Sequence, residues 1–344
     1  MRLQITHETV YDYSPAVETA QHMVYLTPMH CSTQQLLSHR LIVNPQPTQI
    51  SVMRDVFGNT RNFFSLQVAH RELCVVAVSE VLTQSRPLPD SELVWEHARE
   101  GFRYRAGAAF DAANEFVFAS PMVPRQGEFA HYARPSFAPG TGLLAAATDL
   151  MHRIYREFAY ESQSTEVSTP ALQALTQRKG VCQDFAHIFV ACLRSLGLAA
   201  RYVSGYLLTE PAPGTVKLKG SDASHAWASV YVPDLPEQQR WVHFDPTNDR
   251  VGWYGPGEDY VLLACGRDFS DVSPMRGVIH GGASHTLTVG VTVEPVPTVT
   301  AHLGQTQSQT QSQSLGQSAV PGQSQYQDSG QSQTAIAFLP RRST

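Results

Sequence analysis

The chain has no apolar run approaching the roughly 20 residues that a membrane-spanning helix needs, so no membrane segment is expected. Its opening, Met1-Arg2-Leu3-Gln4-Ile5-Thr6-His7, alternates like a strand. It lacks the apolar stretch and small-residue cleavage site of a secretion signal. Positive charge is not in excess. Lys and Arg total 25 against 30 Asp and Glu, for a net charge of −5 and a pI of about 6.3. That balance gives no reason to expect nucleic acid or an anionic membrane as a partner. Cysteine is sparse. Cys31, Cys74, Cys182, Cys192 and Cys265 form an odd set at wide spacing, which is not a disulfide framework. Free thiols suit a reducing compartment, and the expected location is cytoplasmic. Charged residues, at 16%, are few for a globular chain, while 42% hydrophobic residues suffice for buried cores. At roughly 150 residues per domain, two domains are expected.

Residues 1–84 read as a succession of strands, among them 41–43, 50–52 and 74–78. Turn signals at Asn44-Pro45, Phe57-Gly58-Asn59 and Arg86-Pro87 separate them. The pattern predicts an N-terminal β-sandwich-like domain, with Tyr11, Tyr13, Asp55 and Asn59 as turn and core residues. Residues 85–140 read as a connecting segment. A short helix is expected over 92–98, and residues 120–141, rich in Pro, Gly and Ala, read as a long connection draped over the second domain. Residues 141–300 are expected to form that domain. Leu144, Ala147, Leu150, Met151 and Ile154 mark one face of a helix over 143–158. Pro170 suits the first turn of a second helix over 169–178, with Thr169 as its N-cap. Strands are expected over 200–208, 226–232, 241–244 and 287–293, with a turn at 211–214. Residues 301–344, dominated by Gln and Ser, form a tail that cannot bury apolar surface and is expected to be disordered.

The stretch Gly180-Val181-Cys182-Gln183-Asp184-Phe185-Ala186 carries the chemistry. Phe185, Phe189, Leu193 and Leu196 recur at steps of three and four, which places Cys182 in the first turn of a buried helix ended by Gly197. Exposed N–H groups and partial positive charge at a helix start favour a thiolate, the nucleophilic form of cysteine. Such a nucleophile needs a base, and the base needs a group that fixes its tautomer. His225 stands where one β-run begins, and Asp245 where another ends before Pro246. Two neighbouring strands of one sheet would present both side chains toward the helix bearing Cys182.

These pieces resemble bacterial transglutaminase-like proteins. Residues 180–186 and 193–206 are similar to the nucleophile helix and following strand of that superfamily. Asp222-Ala223-Ser224-His225-Ala226-Trp227 resembles its histidine motif, and Phe244-Asp245-Pro246-Thr247 its aspartate motif. Tyr11-Asp12-Tyr13, Asp55-Val56-Phe57-Gly58-Asn59, residues 266–274 and Gly281-Gly282 are similar to a bacterial branch with an N-terminal β-domain. The resemblance implies an α+β fold: a β-sandwich-like domain, then a papain-like, transglutaminase-like catalytic core. It implies Cys182, His225 and Asp245 as catalytic residues and a thioester formed on Cys182 from a peptide or isopeptide amide. The superfamily includes proteases, amidases and cross-linking acyltransferases. The partner is then a peptide or protein substrate. With no clustered acidic calcium loop in the sequence, no metal or other cofactor is expected.

Other residues near these motifs are rivals for the same roles. At 100° per residue, Cys192 faces about 80° away from Cys182 and His187 about 140°, so both read as structural. His243 shares the side of its strand with Asp245 and rivals His225, which is preferred chiefly on the motif match. Asp184 reads as a cap or polarising group for the helix start. The backbone N–H of Cys182 is a natural first oxyanion donor; Tyr160 and Gln163 are candidates for the second. The competing function is a non-catalytic peptide-binding protein that retains the fold. As a transferase, the chain could also act on the glutamines of its own tail.

Overall fold

The computed structural model describes residues 1–107, 109–161, 169–209, 224–253, 255–282 and 284–297. The readings that fall on Gln163, Asp222, Ala223, the 211–214 turn and the Gln/Ser tail lie outside these residues.

The first sheet is organised by β1 (Arg2–Val24), whose length lets it serve two groups of neighbours. The others are β2 (Gln34–Asn44), β3 (Gln49–Arg54), β4 (Thr60–Leu66) and β5 (His70–Thr83), in the order β2-β5-β1-β4-β3. The first half of β1 pairs with β5 and its second half with β4, with a register irregularity between Asp12 and Val17. Leu41, Val43 and Val75 from one half pack with Phe64, Leu66 and Ala20 from the other. The sheet therefore folds on itself around one apolar interior, the sandwich-like arrangement that alternating strands favour.

The segment after it is more than a tether. It forms α1 (Trp95–Gly101), a 3₁₀ turn over Ala112–Val117 and α2 (Gly127–Ala133). Trp95, Phe129, Tyr132 and Phe137 join the main core of the second half of the chain. The expected helix at 92–98 thus begins three residues later, and the expected connection at 120–141 contains a core helix. Prolines at 124, 135 and 139 mask it in the sequence, although Phe129, Tyr132 and Ala133 keep helical spacing.

Next come α3 (Leu143–Glu157), β6 (Ala159–Tyr160), α4 (Ala171–Gln177), β7 (Lys179–Gly180) and α5 (Cys182–Ser195). Pro170, not Thr169, occupies the N-cap position of α4. A Pro ring before the first turn already fixes φ as a helix requires. Phe185, Ile188, Phe189, Cys192 and Leu193 are fully or almost fully buried along α5. Its end is a Schellman motif: Gly197, at φ +84°, donates to Arg194 O, and Leu198 N to Leu193 O.

An antiparallel second sheet packs on α5. It comprises β8 (Ala200–Leu207), β9 (Ser224–Tyr231), β10 (Trp241–Asp245), β11 (Arg250–Trp253) and β12 (Tyr260–Gly266), in the order β11-β10-β9-β8-β12. Ala228, Val230, Val242 and Phe244 face the helices. The chain then forms α6 (Phe269–Val272), β13 (Met275–Gly281) and β14 (Ser284–Pro295). Both last strands return to the first sheet, β14 beside the first half of β1 and β13 beside the second. Residues counted with the second domain in the sequence therefore complete the first domain's sheet. The whole is mixed α+β, an N-terminal β-sheet domain followed by a helix-and-sheet core.

Candidate active site

Cys182 is the first residue of α5 and is half-buried. Its place is set by Asp184, whose buried carboxylate accepts the Val181 N–H at 2.8 Å. This satisfies one of the orphan donors of a helix start. Gly180 leaves room for that carboxylate, since a Cβ there would lie 2.7 Å from Asp184 Oδ2. Asp184 is thus a cap, as its position suggested. Parallel pairing of β6 with β7 brings Tyr160 alongside Gly180.

His225 lies near the start of β9 and Asp245 at the end of β10, and antiparallel pairing brings these strand ends together. Asp245 Oδ2 accepts from His225 Nε2 at 2.7 Å, with both side chains almost wholly buried. The Cys182 side chain is hydrogen-bonded to the same imidazole. With Nε2 taken by the carboxylate, Nδ1 is the nitrogen left for the sulfur. The structure therefore brings Cys182, His225 and Asp245 together.

Burial alone would lower the pKa of His225. Hydrogen bonds and charge from Asp245 and Cys182 outweigh it and raise the value to about 10. For Asp245, burial pushes upward, but bonds and charge from His225, with Tyr260 and Asn248, bring the carboxyl below its ordinary range. Tyr260 O–H donates to Oδ2 at 2.6 Å and Asn248 Nδ2 at 2.7 Å, while Thr247 N–H donates to Oδ1 at 2.9 Å. Asn248 Nδ2 also lies 3.3 Å from His225 Nε2. Both nitrogens are donors, and both converge on the carboxylate rather than on each other. Asn248 and Tyr260 were not foreseen. Asn248 sits in the turn after the aspartate motif, a detectable position, whereas Tyr260 arrives from another strand without any local signal.

The rivals have other partners. His243 is fully buried and accepts the Trp227 indole N–H at 2.8 Å. Burial first and the Arg201 charge second hold its pKa well below 6.5. Trp227 separates it from the reacting group, stacking on His225 at 6.0 Å. Gly205 on β8 has no Cβ to collide with the edge of that indole. His187 accepts the Phe269 N–H and packs on Tyr202, pinning α6 against α5. Cys192 is buried in the main core, which pushes its thiol pKa up. Tyr160 is exposed, and its hydroxyl pKa is raised by partial burial and then by Cys182. Tyr202, fully buried on the other side, is raised by burial and then by Cys182 and Asp184.

A cavity of about 1340 Å³ between the sheets is lined by Arg201, Tyr231 and Trp241 and includes none of Cys182, His225 and Asp245. Among the described residues no group of three or more His, Cys, Asp or Glu is placed to hold a metal ion. None of their helices is long and apolar enough to cross a membrane.

Comparison with known proteins agrees with this architecture. Residues 130–246 match the transglutaminase-like superfamily, and residues 3–82 match the bacterial transglutaminase-like N-terminal region. An uncharacterized protein of Mycobacterium tuberculosis is 38% identical over 302 residues, covering 86% of this chain and 93% of that protein. Human peptide-N(4)-(N-acetyl-beta-glucosaminyl)asparagine amidase is 31% identical over 107 residues, 29% of this chain and 13% of that protein. A crystal structure from Cytophaga hutchinsonii, provisionally assigned as a cysteine protease, superposes with a TM-score of 0.64 at 22% identity. It covers 87% of this chain and 91% of that one. That likeness is one of fold.

Proposed function

Since the chain belongs to the transglutaminase-like superfamily and carries the bacterial N-terminal region of such proteins, we propose that it is a cysteine-dependent amide-bond enzyme. Cys182 is the nucleophile, His225 the general acid and base, and Asp245 the group that orients His225. The observation that carries this reading is the grouping of Cys182, His225 and Asp245, built from a helix start and two strand ends.

The sulfur of Cys182 attacks the carbonyl carbon of a peptide or isopeptide amide, forming a C–S bond and a tetrahedral oxyanion. At neutral pH His225, whose pKa is raised to about 10, carries a proton. His225 gives that proton to the amide nitrogen as the C–N bond breaks, so the amine leaves neutral and a thioester remains on Cys182. Water or a primary amine then attacks the thioester and His225 takes its proton; the C–S bond breaks, its electron pair returns to the Cys182 sulfur, and the acid or the new amide leaves. The buried carboxylate keeps Nε2 engaged and Nδ1 aimed at sulfur throughout. The backbone N–H of Cys182 serves as an oxyanion donor, and Tyr160, whose hydroxyl feels the charge of Cys182, is assigned as the second. Partial similarity to an asparagine amidase supports amide chemistry.

A peptide aldehyde or chloromethyl ketone tests the reading. Expected is one covalent adduct, on Cys182, that forms slowly or not at all in His225→Ala. Labelling of Cys182 no faster than a free small-molecule thiol would sink the catalytic reading and leave a peptide-binding protein. In turnover assays, the ratio of hydrolysed to amine-coupled product identifies the acyl acceptor.

A further inference from the structure

We infer that the N-terminal β-sheet domain is a positioning part of the candidate active site. Its Gln34 fixes the strand from which Tyr260 holds Asp245. The inference rests on the catalytic reading above.

Among the described residues, strand β12 lies at the edge of the second sheet and pairs with a strand on its β8 side alone. Its outer backbone groups still need partners, because a buried peptide group left unpaired is costly. Side-chain amides of the first domain supply them. Gln34 Nε2 donates to Leu262 O and Gln34 Oε1 accepts from Leu262 N, both at 2.7 Å. Asn59 does the same at Cys265, at 2.8 Å each way. Each amide thus imitates one residue of a neighbouring strand. The two grip β12 on either side of a register irregularity between Leu262 and Ala264, where an extra residue changes the direction of the side chains around it. Ahead of the strand, Ser85 N–H and the chain's amino group both bond the Glu258 carboxylate.

Tyr260 lies between the Glu258 and Leu262 attachments. Its ring packs edge-on against Trp227 of β9 at 5.4 Å, and its hydroxyl reaches past β8 and β9 to Asp245 at the end of β10. Gln34 is 3% exposed and its other carbonyl partner is Met29 of its own domain. Moving β12 by a fraction of a residue would withdraw the Tyr260 hydroxyl from Asp245. The path from Gln34 to Leu262, Tyr260, Asp245 and His225 consists of hydrogen bonds and one short length of strand. Gln34 and Tyr260 touch neither sulfur nor substrate in this scheme. They are positioning residues, and they give the first domain a reason to be attached to the second.

The test compares Tyr260→Phe, Gln34→Ala and the double variant in the full-length chain. Two readouts are taken: the ¹³C titration of the Asp245 carboxyl, and the pH profile of Cys182 alkylation. The Tyr260 hydrogen bond helps hold the Asp245 pKa down, so Tyr260→Phe should raise it and move the acid limb of the alkylation profile to higher pH. With a substrate in hand, kcat should fall about tenfold with little change in KM. Gln34→Ala should shift the carboxyl in the same direction by less. The double variant should match Tyr260→Phe alone, because both act through one bond. Gln34→Glu places a carboxylate oxygen against the Met29 and Leu262 carbonyls that the amide N–H groups satisfied, and should shift the Asp245 carboxyl at least as far as Gln34→Ala. If Gln34→Ala lowers the melting temperature but leaves the Asp245 titration unmoved, or if the two shifts add, the inference is overturned. The carboxyl titration needs no turnover. A chain without enzymatic activity would still report the link, and a failed link would leave Cys182 reactive.

Discussion

The two large sheets of this molecule both bury histidines, and the outcomes are opposite. In the first sheet, His7 and His22 are buried and His39 is half-buried, and desolvation holds each pKa down at about 4, with His70 adding to the effect on His22. Their partners are hydroxyls: Tyr206 for His7, and Thr27 and Ser79 for His39. In the second sheet, His225 is 7% exposed, hardly more than the 4% of His22, yet its pKa is raised to about 10. Depth of burial therefore does not set the sign. A carboxylate on one ring nitrogen and a sulfur on the other do, while a hydroxyl merely satisfies a neutral ring. His243 makes the same point within the second sheet. It lies two residues from Asp245, without bonding to it, and stays neutral.

The strongest way to break this contrast is to remove the groups at either end of His225. Cys182→Ala should abolish turnover with the fold intact and lower the His225 pKa partway, since Asp245 remains. Replacing Cys31, Cys74, Cys192 or Cys265 by Ser or Ala should keep most activity. Loss of all activity in a well-folded Cys192→Ala would overturn the assignment of the nucleophile. His225→Ala should cost about 10²–10⁴-fold in rate. Asp245→Asn should cost less, because an amide still orients the ring, but it removes the charge. By ¹³C-histidine NMR, His225 should then titrate well below 10, toward the histidines of the first sheet. A His225 pKa unchanged in Asp245→Asn would show that the carboxylate is not what separates the two groups.

A smaller effect should appear in stability against pH. The first-sheet histidines have folded pKa values below the unfolded 6.5. Their neutral forms favour the fold above pH 6.5, and that contribution, up to about 3 kcal/mol each, is lost as pH falls toward 4. His225 runs the other way. Its stabilisation is complete below pH 6.5 and is lost as pH rises through about 10. His22 sharpens the acid limb because its two ring nitrogens are buried with no hydrogen-bond partner among the described residues, and its ring stacks on Phe64 at 5.2 Å. His22→Phe keeps the shape and removes the unpaired atoms. It should stabilise the chain by about 1–3 kcal/mol at pH 5 and less at pH 8. A melting gain that is equal at both pH values would mean that protonation of His22 plays no part.

These differences also mark what could be read from the sequence. Cys182 was legible because helical spacing from Phe185 to Leu196 follows it directly and Gly197 closes the helix. His225 and Asp245 were legible because each stands at the end of a β-run. The supporting cast was not. Gln34 meets Leu262 across 228 residues, and Asn59 meets Cys265 across 206. A side-chain amide completing a distant strand edge leaves no periodicity behind. Asn59 reads from the sequence as a turn and core residue, and it is both: Asp55 accepts its N–H and the side chain is fully buried. The return of β13 and β14 to the first sheet was hidden for the same reason: alternation identifies a strand but not its partner. Helix α2 was hidden by composition, with prolines on both sides of seven residues.

The smallest expected effect tests whether the neutral state of His243 comes from its surroundings or from its hydrogen bond with Trp227. Trp227→Phe removes the indole N–H that His243 Nδ1 accepts and leaves an aromatic ring near His225 and Tyr260. One buried hydrogen bond is worth about 1 kcal/mol, so the melting temperature should fall by a few degrees. Burial and the Arg201 charge, the two causes that depress His243, are both still present in this variant. Its Cε1 resonance should therefore show no titration down to pH 5, and His225 should remain protonated at pH 8 because Asp245 and Cys182 are untouched. Should His243 instead titrate near 6.5 in Trp227→Phe, the indole and not the interior would be what keeps it neutral. Hydrogen bonding to the neutral ring would then have to replace burial as the explanation for this histidine, and the first-sheet histidines that bond only to hydroxyls would need the same re-examination.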